Sequence, residues 1–221
     1  MTDFVARAGW LARRDYLVFW LSGLVAATSA GALVLIEPDA FEQYLGPINP
    51  VLVVVVAAVA GGYSLRLLEA RTWWSAGPFS EIRRGILLST SAALAFASVA
   101  IAIDIWLGFP QDLNVAWPRS LLFYPAIAFV AEVGFHILPL ALLTILTRWR
   151  FTRPGRVRAG VLAVASLEAG FQILLGSGLD VFVGVHLFAI GVYELVVFRR
   201  FGYIPMIWFR PAYYIIWHVA W

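Results

Sequence analysis

Residues 121–146 read LLFYPAIAFVAEVGFHILPLALLTIL, an apolar run long enough to cross a membrane as a helix. Glu132 and His136 interrupt this run near its middle. Side chains four residues apart lie on the same face of a helix, so the two groups are neighbours. Because an ionisable group is costly in hydrocarbon, such a pair indicates either a structural partner or a functional site.

A second apolar segment repeats this arrangement. The motif Glu132-Val-Gly-Phe-His136 has a counterpart in Glu168-Ala-Gly-Phe-Gln172. Both copies place a glutamate in an apolar environment, so we expect the two glutamates to face a common feature inside the protein.

The composition indicates an integral membrane protein. The 221 residues are 62% hydrophobic and only 13% charged, whereas soluble domains carry about a quarter of charged residues. The chain has no cysteine, which excludes disulfides, thiolate metal sites and cysteine nucleophiles. Its arginines lie beside the ends of apolar segments, which favours a role in membrane orientation over nucleic-acid binding.

The apolar segments predict an all-α bundle of about seven transmembrane spans. Residues 1–120 would supply spans 1–3 as a scaffold, and residues 121–221 would supply spans 4–7 with the polar site. Of sixteen basic residues, all but Arg119 and Arg210 fall on one side if the amino terminus is cytoplasmic. We therefore expect the amino terminus inside, the carboxyl terminus outside, and a location in a prokaryotic inner membrane. The predicted spans are 16–36, 51–68, 85–107, 121–146, 159–175, 181–198 and 203–221.

The ionisable residues of spans 4–7 lie at compatible depths. At a rise of about 1.5 Å per residue, Glu132 and Glu168 both fall near the middle of the membrane. Arg210 reaches the inner half of span 7, and His136 lies one helical turn inward of Glu132. The simplest interpretation is that the two glutamates neutralise Arg210 in a structural ion pair.

A catalytic interpretation is also open. Glu132, His136, Glu168 and Arg210 could supply a base and polarising groups for hydrolysis by water. His186 and His218, at similar depth on spans 6 and 7, could bind a divalent metal such as zinc. The same two histidines also meet the minimal requirement for bis-histidine haem ligation.

The last four spans resemble the intramembrane CAAX-protease and bacteriocin-processing family, also called the abortive-infection family. Ala131-Glu132-Val-Gly-Phe-His136 lies where that family has a Glu-Glu-x-x-x-Arg helix, with alanine and histidine at its first and last positions. Residues 188–202 resemble its penultimate helix and arginine–glycine turn, and residues 203–218 resemble its last helix. The resemblance implies that Glu132 activates a water, perhaps with a metal, to cleave a peptide bond at the membrane.

We therefore predict a peptidase-like membrane protein acting on a membrane-associated peptide. The first alternative is a non-catalytic membrane subunit that binds a partner protein or lipid, and the second is a haem-binding electron carrier. The expected partners are membrane lipids together with a peptide substrate or a membrane protein, and no nucleic acid.

Overall fold

The protein is a bundle of helices. The computed structural model describes residues 2–108, 115–148, 150–175 and 181–219, without the side chains of 2–13, 172, 175 and 219. Every regular element in these ranges is a helix, which confirms the predicted all-α class. The elements are α1 (Thr2–Ile36), α2 (Glu42–Leu45), α3 (Pro50–Ala70), α4 (Phe79–Leu107), α5 (Ser120–Ala131), a π-helical segment (Glu132–Ile137), α6 (Leu138–Thr147), α7 (Pro154–Leu175), α8 (Val181–Phe201), α9 (Tyr203–Tyr214) and a second π-helical segment (Ile215–Val219).

Five helical stretches within the described residues are long and apolar enough to cross a membrane. The helices α7 and α9 form where the fifth and seventh spans were predicted, but neither is among these five. The count of seven spans and the orientation of the termini therefore stay predictions. The five stretches are Arg14–Ile36, Pro50–Ala70, Phe79–Leu107, Ser120–Thr147 and Val181–Phe201.

Local sequence signals set several helix ends. Asn49 caps α3 by accepting hydrogen bonds from the backbone N–H groups of Val51 and Leu52, and Pro50 occupies the first turn. Gly202 separates α8 from α9 with φ +90°, a conformation that side chains with a Cβ rarely adopt. This break lets α9 turn back into the bundle beside α8.

Small residues allow α7 and α8 to approach closely. A Cβ added at Gly191 of α8 would lie 3.2 Å from the backbone of Ala165 on α7 and 3.4 Å from His136 Nε2. Small residues commonly bring membrane helices together in this way. Gly191 therefore fixes both the α7–α8 contact and the space beside the imidazole.

Hydrogen bonds connect a helix to two loops at one end of the bundle. We call this end the arginine-rich end, because it contains Arg71, Arg148, Arg150, Arg153 and Arg199. Arg199 donates hydrogen bonds to the backbone carbonyls of Thr72, Trp73 and Phe151. These contacts join the end of α8 to the α3–α4 and α6–α7 connections.

Among the described residues, two π-helical segments adjoin α-helices. The first, Glu132–Ile137, precedes Pro139, whose missing N–H leaves the carbonyl of Phe135 without its usual helical donor. The second, Ile215–Val219, follows Pro211 inside α9. Single π-helical turns are frequent at functional sites, and the first one carries both Glu132 and His136.

Candidate functional site

Three glutamates converge on the guanidinium group of Arg210. Its Nε donates to Glu132 Oε1 at 2.6 Å. Its Nη1 and Nη2 donate to the two carboxylate oxygens of Glu168 at 2.7 and 3.0 Å. Nη2 also donates to Glu194 Oε2 at 2.7 Å. Charge-assisted hydrogen bonds of this length are among the strongest that side chains make.

Each member of this group comes from a different helical segment. Glu132 lies in the first π-helical segment, Glu168 on α7, Glu194 on α8 and Arg210 on α9. Their side chains are 0%, 2%, 0% and 4% exposed, in that order, so all four ionisable groups are buried inside the protein. The four ion-pairing residues thus link four helical segments at one buried point.

His136 completes what we call the central cluster, defined as Glu132, His136, Glu168, Glu194 and Arg210. Its ring is fully buried, with Nδ1 3.4 Å from Glu132 Oε2 and Nε2 3.6 Å from Glu194 Oε2. Nε2 is also 3.7 Å from Glu168 Oε2. Within the described structure, both ring nitrogens, Glu132 Oε2 and Glu194 Oε1 make no hydrogen bond. Buried polar atoms without a partner are rare and call for a physical explanation.

The central cluster holds more acidic than basic side chains. Three carboxyl groups surround one guanidinium, so two negative charges are in excess when all three carboxyl groups are ionised and the imidazole is neutral. A protonated imidazole would still leave one in excess. Because charges interact strongly in an apolar interior, this excess favours the uptake of a cation or of protons.

A metal ion is one way to balance the excess. One ligand atom each from Glu132, His136 and Glu194 can be chosen so that all lie within 4.8 Å of one another. Carboxylate oxygens and imidazole nitrogens bind zinc at about 2.0–2.2 Å, which places neighbouring ligands of a tetrahedral site about 3.3–3.6 Å apart. The two imidazole-to-carboxylate distances, 3.4 Å from Nδ1 and 3.6 Å from Nε2, involve different ring nitrogens, and one ion would bind only one of them. As a group, the three buried side chains could still hold a metal ion.

The repeated motif is explained by its common target. Glu132 and Glu168, the first residues of the two copies, both bind Arg210. The phenylalanines of the two copies, Phe135 and Phe171, pack with ring centroids 5.3 Å apart. The side chain of Gln172 lies outside the described residues. The two copies therefore face each other across the cluster.

The structure brings together Glu132, His136, Glu168 and Arg210, the four residues for which the sequence predicts catalytic roles. The ion pairs of Glu132 and Glu168 with Arg210, expected in the simplest interpretation, are present. Glu194 was not predicted as a site residue. It is a lone carboxylate in the apolar run of α8, and the rarity of such residues in membrane helices could have identified it.

The two histidines predicted as metal ligands have other neighbours. His186 Nε2 lies 3.2 Å from the Tyr213 hydroxyl, and its ring packs against Phe96. The ring of His218 stacks on Tyr124 with centroids 4.8 Å apart. Neither histidine belongs to the group that could hold a metal, so their proposed ligand and haem roles gain no support from this placement.

The charge imbalance predicts unequal effects of substitution. Arg210→Met leaves three buried carboxylates without a counter-charge, and we expect it to destabilise the protein by about 3–5 kcal/mol. Each single Glu→Gln change at 132, 168 or 194 relieves part of the excess and should cost less, about 1–3 kcal/mol. Combining Arg210→Met with Glu132→Gln should restore part of the loss. Thermal unfolding in one detergent measures all five variants.

Arg119→Met is the matched control, because Arg119 forms an exposed ion pair with Glu37. Exposed pairs contribute at most about 1 kcal/mol, so this variant should resemble the unsubstituted protein. A Glu→Gln variant as unstable as Arg210→Met would contradict the excess of negative charge.

The relation of this site to known proteins was tested by sequence and structure comparison. No protein-family model, curated protein or solved structure matches the chain. The resemblance to intramembrane CAAX proteases therefore stays a prediction.

Proposed function

We propose that this protein is an intramembrane peptidase-like hydrolase whose central cluster activates water against a membrane-associated peptide. One observation carries the proposal: Glu132 Oε2 and the ring of His136 are buried, adjacent and without hydrogen-bond partners. A carboxylate oxygen in that state can accept a proton, and an imidazole beside it can donate one. The resemblance of the last four spans to CAAX proteases agrees with this chemistry.

Each residue of the central cluster has a separate role in the hydrolysis. Glu132 Oε2 takes a proton from water as the water oxygen attacks the peptide carbonyl carbon, and that proton then passes to the leaving amine nitrogen. Arg210 holds the other oxygen of Glu132 in place at 2.6 Å. His136 can donate a hydrogen bond to the negative charge that develops on the carbonyl oxygen. Glu168 is bound through both oxygens to Arg210, so its role is to position the guanidinium.

A metal-assisted form of the reaction uses the same cluster differently. Glu132, His136 and Glu194 would hold a divalent ion such as zinc, whose charge would offset the two excess negative charges. Such an ion polarises a carbonyl and makes a bound water more acidic. Glu132 Oε2 would then be a ligand, so the proton would have to pass to another group.

The membrane arrangement belongs to the same proposal. We infer seven spans, with α7 and α9 crossing beside the five longer apolar stretches, and a cytoplasmic amino terminus in a prokaryotic inner membrane. The concentration of arginines at one end of the bundle supports this orientation. The carboxyl terminus would then face the outside.

Cysteine labelling tests this topology, because the chain has no natural cysteine. Single cysteines at Gly155 and Asp39 should react from opposite sides with a reagent that does not cross membranes. We expect Asp39→Cys to be labelled from the outside and Gly155→Cys only after the membrane is opened. Outside labelling of Gly155→Cys would contradict the orientation.

The catalytic role is tested by Glu132→Gln in proteoliposomes that contain a prenylated peptide ending in a CAAX sequence. An amide cannot accept the proton, so cleavage should fall about 10²–10⁴-fold while the protein stays folded. Glu42→Gln, on the exposed face of α2, is the control and should cleave normally. Products are measured by mass spectrometry in three conditions: without a chelator, with a chelator, and with a chelator followed by added zinc.

Cleavage that is lost with the chelator and restored by zinc would select the metal-assisted form. A folded Glu132→Gln protein that cleaves at the full rate would end the peptidase proposal.

A non-catalytic membrane subunit is the second candidate. It is favoured by the four hydrogen bonds that Arg210 donates to carboxylates, through which all three glutamates bind it. In that case the cluster only fixes helix packing. Wild-type protein that cleaves no peptide, yet loses stability in Arg210→Met, would support this candidate.

A further inference from the structure

We propose that the arginine-rich end contains a binding site for the phosphate group of an anionic lipid, formed by Arg71, Arg148, Arg150 and Arg153. This site lies away from the central cluster and does not depend on peptidase activity. Its basis is an anchored residue, Phe151, among several arginines that form no ion pair with the described acidic residues, beside an exposed apolar surface.

The loop between α6 and α7 is anchored by Phe151. Its ring is fully buried and packs edge-on against Trp73, with centroids 4.7 Å apart. Its backbone N–H donates to the carbonyl of Arg71 at 3.1 Å. Its own carbonyl accepts from Arg199 Nη2 at 3.2 Å. The backbone around Phe151 is therefore held on both sides.

The arginines around this anchor point outward. Arg148, Arg150 and Arg153 are exposed, while Arg71 is half-buried next to the backbone of Phe151. Arg148 ends α6 with φ +53°, a left-handed conformation that turns the chain sharply at the edge of the helix. The exposed arginines thus lie on both sides of the anchored residue Phe151 in the sequence.

Within the part of the chain that the structure describes, these arginines form no ion pair with an acidic side chain. None of the ion pairs among the described residues involves Arg71, Arg148, Arg150 or Arg153. Glu69, the acidic residue nearest in the α3 sequence, accepts a hydrogen bond from the Tyr16 hydroxyl. The loop therefore presents a concentrated positive charge, and guanidinium groups bind phosphate oxygens in paired hydrogen bonds.

An apolar surface beside the loop identifies the ligand as a lipid. Leu142, Ile145 and Leu146 are 48%, 56% and 81% exposed on the last turns of α6. They lie immediately before Arg148, so acyl chains along α6 would place a headgroup phosphate at the level of the arginines. Basic residues at the edge of a membrane helix attract anionic lipids in this way.

The test measures lipid binding by native mass spectrometry on the full chain in an uncharged detergent. The probes are phosphatidylglycerol, phosphatidylcholine with the same acyl chains, and inorganic phosphate. We expect phosphatidylglycerol to bind more tightly than phosphatidylcholine, and inorganic phosphate to compete weakly. Each arginine near the membrane surface contributes about fivefold in affinity, so Arg148→Gln with Arg150→Gln should weaken phosphatidylglycerol binding about 25-fold.

The matched control is Arg83→Gln with Arg84→Gln. Both residues are exposed near the start of α4. Their substitution removes the same number of positive charges and leaves the residues around Phe151 unchanged. The control should keep most of the affinity, and circular dichroism should show that both variants remain helical.

An equal loss of affinity in both double variants would overturn the site, because it would show a diffuse attraction to the whole basic end. Tight binding of inorganic phosphate with no preference for phosphatidylglycerol would overturn the assignment to a lipid. Neither result bears on cleavage by the central cluster.

Discussion

A guanidinium group buried among membrane helices must have a counter-charge close to it, and much of the second half of this chain is arranged around that requirement. Arg210 is 4% exposed and meets three carboxylates from three other helical segments. Removing α9 would leave three buried carboxylates without this counter-charge, and removing any other of these segments would take away one of the contacts that hold the guanidinium. The ion pairs therefore constrain the positions of α7, α8, α9 and the first π-helical segment together.

The same arrangement has an electrostatic consequence that simple ion pairing does not require. One arginine would be neutralised by one glutamate, yet three are present, with a buried imidazole between them. Replacing a buried ion pair by apolar residues often costs little, so a cluster with excess charge is not needed for stability alone. The surplus of carboxyl groups around Arg210 favours a role in binding a cation or moving a proton, as the proposed hydrolysis requires.

The sequence predicted the class of fold and most of the cluster. Apolar run length identifies membrane helices, and helical rise places Glu132, Glu168 and Arg210 at compatible depths. Depth, however, does not give the rotation of one helix relative to another. For that reason His186 and His218 were predicted as metal ligands on depth alone. The structure places His186 beside Tyr213 and His218 against Tyr124, and their metal role stays a prediction. Glu194 was overlooked although it occupies the same buried point.

The π-helical segments were also beyond sequence analysis. Prolines at 139 and 211 predict a weakened hydrogen-bond ladder, but they do not specify that the adjacent backbone widens into a π-helical turn. That choice depends on how neighbouring helices pack. In the first segment the turn carries Glu132 and His136 together, and Val133 of the same turn packs against the glycine-containing face of α3.

The central claim is that one arginine is shared by three glutamates, and solid-state NMR of the protein in lipid bilayers tests it most directly. With ¹⁵N-arginine and ¹³C-glutamate labels, magnetisation passes only between a guanidinium nitrogen and a nearby carboxylate carbon. We expect one arginine to correlate with three different glutamates, since the hydrogen bonds to Arg210 span 2.6–3.0 Å. Arg119 should correlate with Glu37 alone and serves as an internal standard. An Arg210 guanidinium that correlates with one glutamate, or with none, would contradict the account.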